Sequence, residues 1–279
     1  MGIRRHPALR RFIACALLAL SAGPLSSAPR ETWTNPLVRN RADPFVLRYA
    51  GCYYFTATTP TCDRIELRKA GRLQDLRRAA PRLLLKARND GKLETHLWAP
   101  ELHRIGGKWY VYFTAAPRRA PYQGLRLYVL ENSSPDPMQG PWDLKGQIKT
   151  RLNRMALDAT TFAVRGRRYL AWAEQDPATR TVTNLYLARM RNPWTLEDRQ
   201  IRLSVPEFPW ERRGLAVNEG PAVLVRGGRV FLIYSASKTD ANYCMGMLVA
   251  REGADLLEPT SWWKSPQPVF QTAAAARQF

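Results

Sequence analysis

A strand–turn–strand unit opening on an acid returns four times along this chain, and that repetition narrows the fold more than any other feature. The first copy runs from Asp43-Pro44-Phe45-Val46 through Ala50-Gly51 into Cys52-Tyr53-Tyr54-Phe55. The second runs from Trp98-Ala99-Pro100-Glu101 through Gly106-Gly107 into Trp109-Tyr110-Val111-Tyr112. The third joins Asp158-Ala159-Thr160-Thr161 to Tyr169-Leu170-Ala171-Trp172 through Arg165-Gly166. The fourth joins Asn218-Glu219-Gly220-Pro221 to Val230-Phe231-Leu232-Ile233 through Gly227-Gly228. The acids at 43, 101, 158 and 219 are 58, 57 and 61 residues apart, and Gly51, Gly166 and Gly227 each follow their acid by eight. Self-similarity at such a period is a mark of radial repetition, and a β-propeller builds each blade from about four strands around a central channel. One period is then one blade. Each acid is expected to begin a strand at the same place in its blade, so that four carboxylates converge on one axis.

The remaining texture agrees. Short aromatic and β-branched runs such as Leu125-Arg126-Leu127-Tyr128-Val129-Leu130 are bounded by turn residues such as Pro135-Asp136-Pro137 and Asn192-Pro193-Trp194, the punctuation of strands and loops. No long amphipathic helix and no linker interrupt it, so the fold class expected is all-β in one domain.

Residues 1–28 differ. Arg4, Arg5, Arg10 and Arg11 precede an apolar run from Phe12 to Leu20 and the small residues Ser26-Ser27-Ala28, the layout of a secretory signal peptide. The expected domain is therefore 29–279 of a secreted or periplasmic protein, with no membrane segment after cleavage. Removing 1–28 takes four arginines and no acid, so the net charge of +20 becomes +16. The arginines are scattered through turns and strand ends without a basic helix or a nucleic-acid motif, which reads as a solvated surface and not as a nucleic-acid partner. Cys52 and Cys62 are close enough in sequence to pair in an oxidising compartment, Cys244 stands alone, and no metal-type spacing appears.

Carboxylates gathered in a channel need a reason, since burying them is costly unless they are paired, hydrogen-bonded or functional. Glycoside hydrolysis is one such reason: it needs two carboxyl groups flanking the scissile bond, one protonated and one ionised. Crowding of like charges separates the two roles. Asp43, Asp158 and Glu219 are the candidate catalytic residues on this reading. Trp98, Glu101 and Asn218 are candidate substrate-binding residues, Trp98 by stacking on a sugar ring. His96 and His103 are read as structural.

The motifs Arg41-Ala42-Asp43-Pro44-Phe45-Val46, Leu97-Trp98-Ala99-Pro100-Glu101-Leu102, Leu157-Asp158-Ala159-Thr160-Thr161-Phe162 and Asn218-Glu219-Gly220-Pro221 resemble glycoside hydrolase family 43 over about residues 37 to 270. The resemblance implies a five-bladed β-propeller and an inverting mechanism, with Asp43 the general base, Glu219 the general acid and Asp158 the residue that tunes and orients the acid. One further period beyond Glu219 falls on Ala273-Ala274-Ala275-Ala276-Arg277-Gln278-Phe279, which carry no strand signature, so a fifth blade is expected to be incomplete. Family members hold a central calcium ion or water with a Gly-His segment in that blade. The segment is absent here, and no cofactor or metal is expected. The implied substrate is an arabinose- or xylose-containing plant cell-wall polysaccharide, with removal of terminal α-L-arabinofuranose first. Alternatives are a β-xylosidase of the same family and a non-catalytic carbohydrate-binding propeller. A basic nucleic-acid binder ranks last.

Overall fold

The computed structural model describes residues 35–272, which form four antiparallel sheets in chain order. The segments 1–28 and 273–279 of the sequence reading lie outside the described residues. Blade 1 holds β1 (Ala42–Tyr49), β2 (Cys52–Thr58), β3 (Arg64–Ala70) and β4 (Arg82–Lys86). Blade 2 holds β5 (Thr95–Ile105), β6 (Lys108–Ala116), β7 (Arg126–Asn132) and β8 (Asp143–Gln147). Blade 3 holds β9 (Ala156–Val164), β10 (Arg167–Glu174), β11 (Asn184–Asn192) and β12 (Thr195–Ser204). Blade 4 holds β13 (Asn218–Arg226), β14 (Arg229–Ala236), β15 (Cys244–Arg251) and β16 (Trp262–Lys264), with β17 (Phe270–Gln271) also paired to β15. The expected all-β propeller arrangement is present as four blades, each opening on a strand that carries one of the repeated motifs.

The turns explain the repetition. The first hairpin of every blade closes through two residues, Ala50-Gly51, Gly106-Gly107, Arg165-Gly166 and Gly227-Gly228, and all eight have positive φ. Two consecutive positive φ angles define the type I′ turn, whose twist matches that of the flanking strands. Glycine is needed at its second position in every blade because a side chain there is strained.

The cores lie between blades. Tyr54, Ile65 and Leu67 of blade 1 pack with Leu97, Trp109 and Phe113 of blade 2. Tyr110, Tyr112 and Val129 of blade 2 meet Leu170, Trp172 and Tyr186 of blade 3. Tyr169, Leu185 and Leu187 of blade 3 meet Leu232, Tyr234 and Leu248 of blade 4. Strands β6 and β10 are therefore buried on both faces along almost their whole length, which is why they read as continuous apolar runs. Blade 4 has only one such face. In β14 and β15 the alternate residues Phe231, Met245, Met247 and Val249 are not buried, and Trp263 of β16 is 56% exposed. Its buried alternates Val230, Leu232, Leu248 and Ala250 face blade 3. Cys52, Cys62 and Cys244 are free thiols, so the pairing of Cys52 with Cys62 considered from sequence is not formed.

Candidate active site

Every first strand carries the same irregularity near its start. Ala42 pairs with Thr58 and Phe45 with Thr56, so Asp43 and Pro44 together oppose the single residue Ala57. Trp98 pairs with Thr114 and Glu101 with Tyr112, leaving Ala99 and Pro100 in the same place in blade 2. Blade 3 leaves Asp158 and Ala159 there, and blade 4 leaves Gly220 and Pro221. This is a β-bulge, two residues against one, a device that re-aims a side chain. Its first residue is left-handed in all four blades: φ is 49° at Asp43, 43° at Ala99, 58° at Asp158 and 55° at Gly220. Aspartate tolerates that region better than most side chains.

The bulge corrects the sequence alignment of the acids. Asp43 and Asp158 occupy equivalent positions. Glu219 stands one residue before its bulge, level with Ala42, Trp98 and Leu157, and Glu101 stands two residues after the start of its own. Glu101 is thus not a fourth copy of the same carboxylate. Its Oε2 is taken by His103 Nε2 at 2.8 Å, although its charge still helps to raise Asp158.

The bulge N–H groups stitch neighbouring blades together. Ala99 N–H donates to Thr58 Oγ1 at 2.8 Å, and Asp158 N–H to Thr114 Oγ1 at 3.4 Å. Thr58 and Thr114 sit at equivalent positions, opposite Ala42 and Trp98, and the residue at that position in blade 3 is Ala173. With no hydroxyl there, the Gly220 N–H donates at 2.9 Å to the carboxylate of Asp158 itself.

The three candidate carboxyls are brought together in unlike surroundings. Asp43 is exposed, and its Oδ2 accepts the Thr58 hydroxyl at 2.6 Å. Asp158 and Glu219 are half-buried. Burial, then the charges of Glu219 and Asp43, push the Asp158 carboxyl well above the usual range, against the pull of the Gly220 N–H. Burial also raises Glu219, the Asp43 charge adds to it, and a hydrogen bond from Tyr243 opposes them. Tyr243 OH donates to Glu219 Oε1 at 2.9 Å. Like charges this close hold a proton that isolated carboxyls would lose.

Trp98 is half-buried at the level of Glu219, its ring 4.2 Å from His96 and 6.3 Å from Tyr122, which is itself exposed. Burial holds His96 below the usual imidazole range, so these rings form an uncharged aromatic wall. Asn218 is not where the sequence reading puts it. Its side chain is fully buried, its Nδ2 donates to Glu211 Oε1 and its Oδ1 accepts from Ser204 Oγ, so no group is left for a sugar. Thr58, Tyr243 and Glu211 escaped sequence reasoning. Among the described residues no group of three or more His, Cys, Asp and Glu side chains is placed to hold a metal ion.

The sequence profile of glycosyl hydrolases family 43 matches residues 33–279. The chain belongs to glycosyl hydrolases family 43. The chemistry of this family is hydrolysis of glycosidic bonds, and the chain is a glycosidase. An extracellular exo-α-(1→5)-L-arabinofuranosidase of Streptomyces chartreusis is 50% identical over 99% of this chain and 84% of its own length. A protein of the same description from Streptomyces avermitilis is 49% identical over 95% of this chain, and the chain spans only 56% of that relative. The crystal structure of an α-L-arabinofuranosidase from Lactobacillus brevis superposes with a TM-score of 0.83 at 47% identity, covering 86% of this chain and 77% of that one.

Proposed function

We propose that this family 43 glycosidase is a secreted, inverting enzyme that removes terminal α-L-arabinofuranose from arabinose-containing plant polysaccharide. The observation that carries the reading is the division of environments among three neighbouring carboxyls: Asp43 exposed, Asp158 and Glu219 enclosed and raised. Inversion needs a base on one face of the sugar and an acid on the other. Asp43, oriented by Thr58, takes a proton from water as the water oxygen bonds to the anomeric carbon. Glu219, still protonated, gives its proton to the departing glycosidic oxygen as the old bond breaks. Solvent then returns each carboxyl to its starting state. Asp158 keeps the site's proton affinity high and holds the Gly220 N–H beside the acid. The wall of Trp98, His96 and Tyr122 offers an apolar face to a sugar ring. The sugar and the extracellular setting are carried over from the two Streptomyces relatives, both described as extracellular arabinofuranosidases.

The test is hydrolysis of aryl α-L-arabinofuranoside and aryl β-xyloside, with the anomer first released followed by proton NMR and Glu219→Gln run in parallel. Release of β-arabinofuranose that collapses in the variant supports the sugar, the inversion and the acid. Retention of configuration would overturn the mechanism, a preference for the xyloside would overturn the substrate, and no turnover of either by folded protein would leave the carbohydrate-binding alternative.

The five-bladed form belongs to the same proposal. The open apolar face of blade 4, with Met245 and Trp263 exposed, is the face against which a fifth blade would pack. Acrylamide quenching of the wild type against Trp263→Phe, whose difference isolates this one of nine tryptophans, tests it: a protected difference emission supports a covered face, and a freely quenched one refutes it.

A further inference from the structure

Behind the candidate acid lies a buried polar cluster that the mechanism above does not use. Glu211 ends a short 3-10 turn, Pro209–Glu211, and is completely inaccessible to solvent. Its Oε1 accepts from Asn218 Nδ2 at 2.9 Å and from Tyr234 OH at 2.8 Å. Its Oε2 accepts the N–H groups of Glu207 and Phe208, each at 2.9 Å. Lys264, almost at the outer edge of the blade, reaches inward to both oxygens at 2.9 Å and also donates to Val205 C=O. Burial alone would raise this carboxyl, but the Phe208 N–H and the Lys264 ammonium outweigh it and hold it below its usual range. It is a fixed, fully satisfied anion.

What that anion grips is the residue directly before Glu219. Asn218 has no freedom left: Nδ2 donates to Glu211 and to Val217 C=O, Oδ1 accepts from Ser204, its N–H donates to Thr183 C=O, and its own C=O accepts from Thr183 Oγ1. Tyr234, the second side chain on Glu211, is the residue that opposes the Gly220-Pro221 bulge. One carboxylate therefore holds both the residue preceding Glu219 and the partner of the bulge following it. A buried ion pair is weak evidence for stability, and fixing a geometry is the better-attested use of one.

We propose that Glu211 is a positioning residue for the general acid: paired with Lys264, it acts through Asn218 and Tyr234 to aim Glu219 at the leaving oxygen. The proposal rests on Glu219 being the acid, and the test separates the two claims. Proton donation matters most when the leaving group is a poor one, so each variant is measured on 2,4-dinitrophenyl α-L-arabinofuranoside, whose leaving group needs little protonation, and on an alkyl α-L-arabinofuranoside, whose leaving group needs it fully. Misaiming by about 1 Å is worth on the order of 10²-fold in rate. Glu211→Gln is thus expected to lower kcat on the alkyl substrate by about 10²-fold while holding the dinitrophenyl substrate within about threefold, with KM little changed on either. Tyr234→Phe, which removes one donor and keeps the ring, is expected to show the same selectivity at about threefold to tenfold, and it decides the matter if Glu211→Gln does not fold. Equal losses on both substrates would show a merely structural role and overturn the proposal. If Glu219→Gln itself shows no dependence on the leaving group, the assignment of the acid fails. If Glu219→Gln shows it and the folded Glu211 and Tyr234 variants do not, the positioning claim alone fails.

Discussion

Replacing Tyr243 by phenylalanine deletes the hydroxyl that donates to Glu219 at 2.9 Å. Burial and the charge of Glu219 push the Tyr243 phenol far above its usual range, while the Ser235 hydroxyl pulls the other way. The phenol therefore stays protonated at every pH where the enzyme works and always donates. A hydrogen bond to a charged acceptor is worth about 1.5–3 kcal/mol, and one pKa unit corresponds to about 1.4 kcal/mol. Glu219 is half-buried, so water enters part of the vacated space and the net change is about one unit. The sign follows from which form the bond favours: Tyr243 stabilises the carboxylate, so its loss raises the acid. The alkaline limb of kcat/KM, which reports the free enzyme's acid, should move up by about one pH unit in Tyr243→Phe. Initial rates on an alkyl arabinofuranoside across the pH range, with Tm followed at each pH, measure the shift. A limb that stays in place, or moves to lower pH, would refute either the donor role of Tyr243 or the assignment of Glu219.

Three further outcomes follow from the same geometry. Asp158 has a folded-state pKa above its unfolded one, so its contribution to stability is fully present below the unfolded pKa and is lost as pH rises through the folded value. Asp158→Asn should therefore gain on the wild type as pH rises towards neutral, by roughly 2–4 °C in Tm for each kcal/mol relieved, while kcat falls by about 10²-fold or more; a Tm gap independent of pH in thermal melts would count against the burial argument. Thr58→Val removes the hydroxyl that orients Asp43 and accepts the Ala99 N–H, and should lose about 1–3 kcal/mol in denaturant unfolding together with about tenfold in kcat. A Cβ added at Gly246 would lie 2.2 Å from Cζ of buried Tyr234, so Gly246→Ala should lose about 3 kcal/mol or more and lower Tm by roughly 6–12 °C; an unchanged Tm would mean that the ring is not fixed as described.

The sequence made the hairpins legible because a two-residue turn with positive φ at both positions demands glycine at the second, and Gly51, Gly107, Gly166 and Gly228 stand there. It made the candidate carboxyls legible because each opens a strand leading into such a turn. What it hid was register. Counting from acid to acid placed Glu101 beside Asp43 and Asp158, whereas the bulge pairs them with Ala99. Pro100, following Ala99 as Pro44 follows Asp43, was the available signal. Asn218 looked like a ligand because it adjoins an acid, but adjacent residues in a strand point to opposite faces, and its side chain went to Glu211. Tyr243 lay in a polar stretch with nothing to mark it. Glu219 pairs with Ser235 and Ser235 with Met245, so the register puts position 243 two residues short of the level of 219, and only the reach of the Tyr243 phenol brings its hydroxyl to Glu219.

The asymmetry that chemistry needs arises from small departures within a symmetric frame. Four blades present the same left-handed bulge, and a ring of identical aspartates there would all feel the same field. Instead the position holds Asp43, Ala99, Asp158 and Gly220. Blade 2 contributes no carboxyl at its bulge and places Trp98 at the adjoining level. Blade 3 replaces the stitching hydroxyl with Ala173, which hands the next blade's N–H to Asp158. Blade 4 moves its carboxyl one residue earlier, onto Glu219, and leaves its bulge as glycine. Since the bulge fixes backbone direction in each blade, these few substitutions suffice to leave one carboxyl in solvent and enclose two. Rigid neighbouring blades then keep the enclosed pair together against their own repulsion, because separating them would mean breaking the apolar contact between blades 3 and 4.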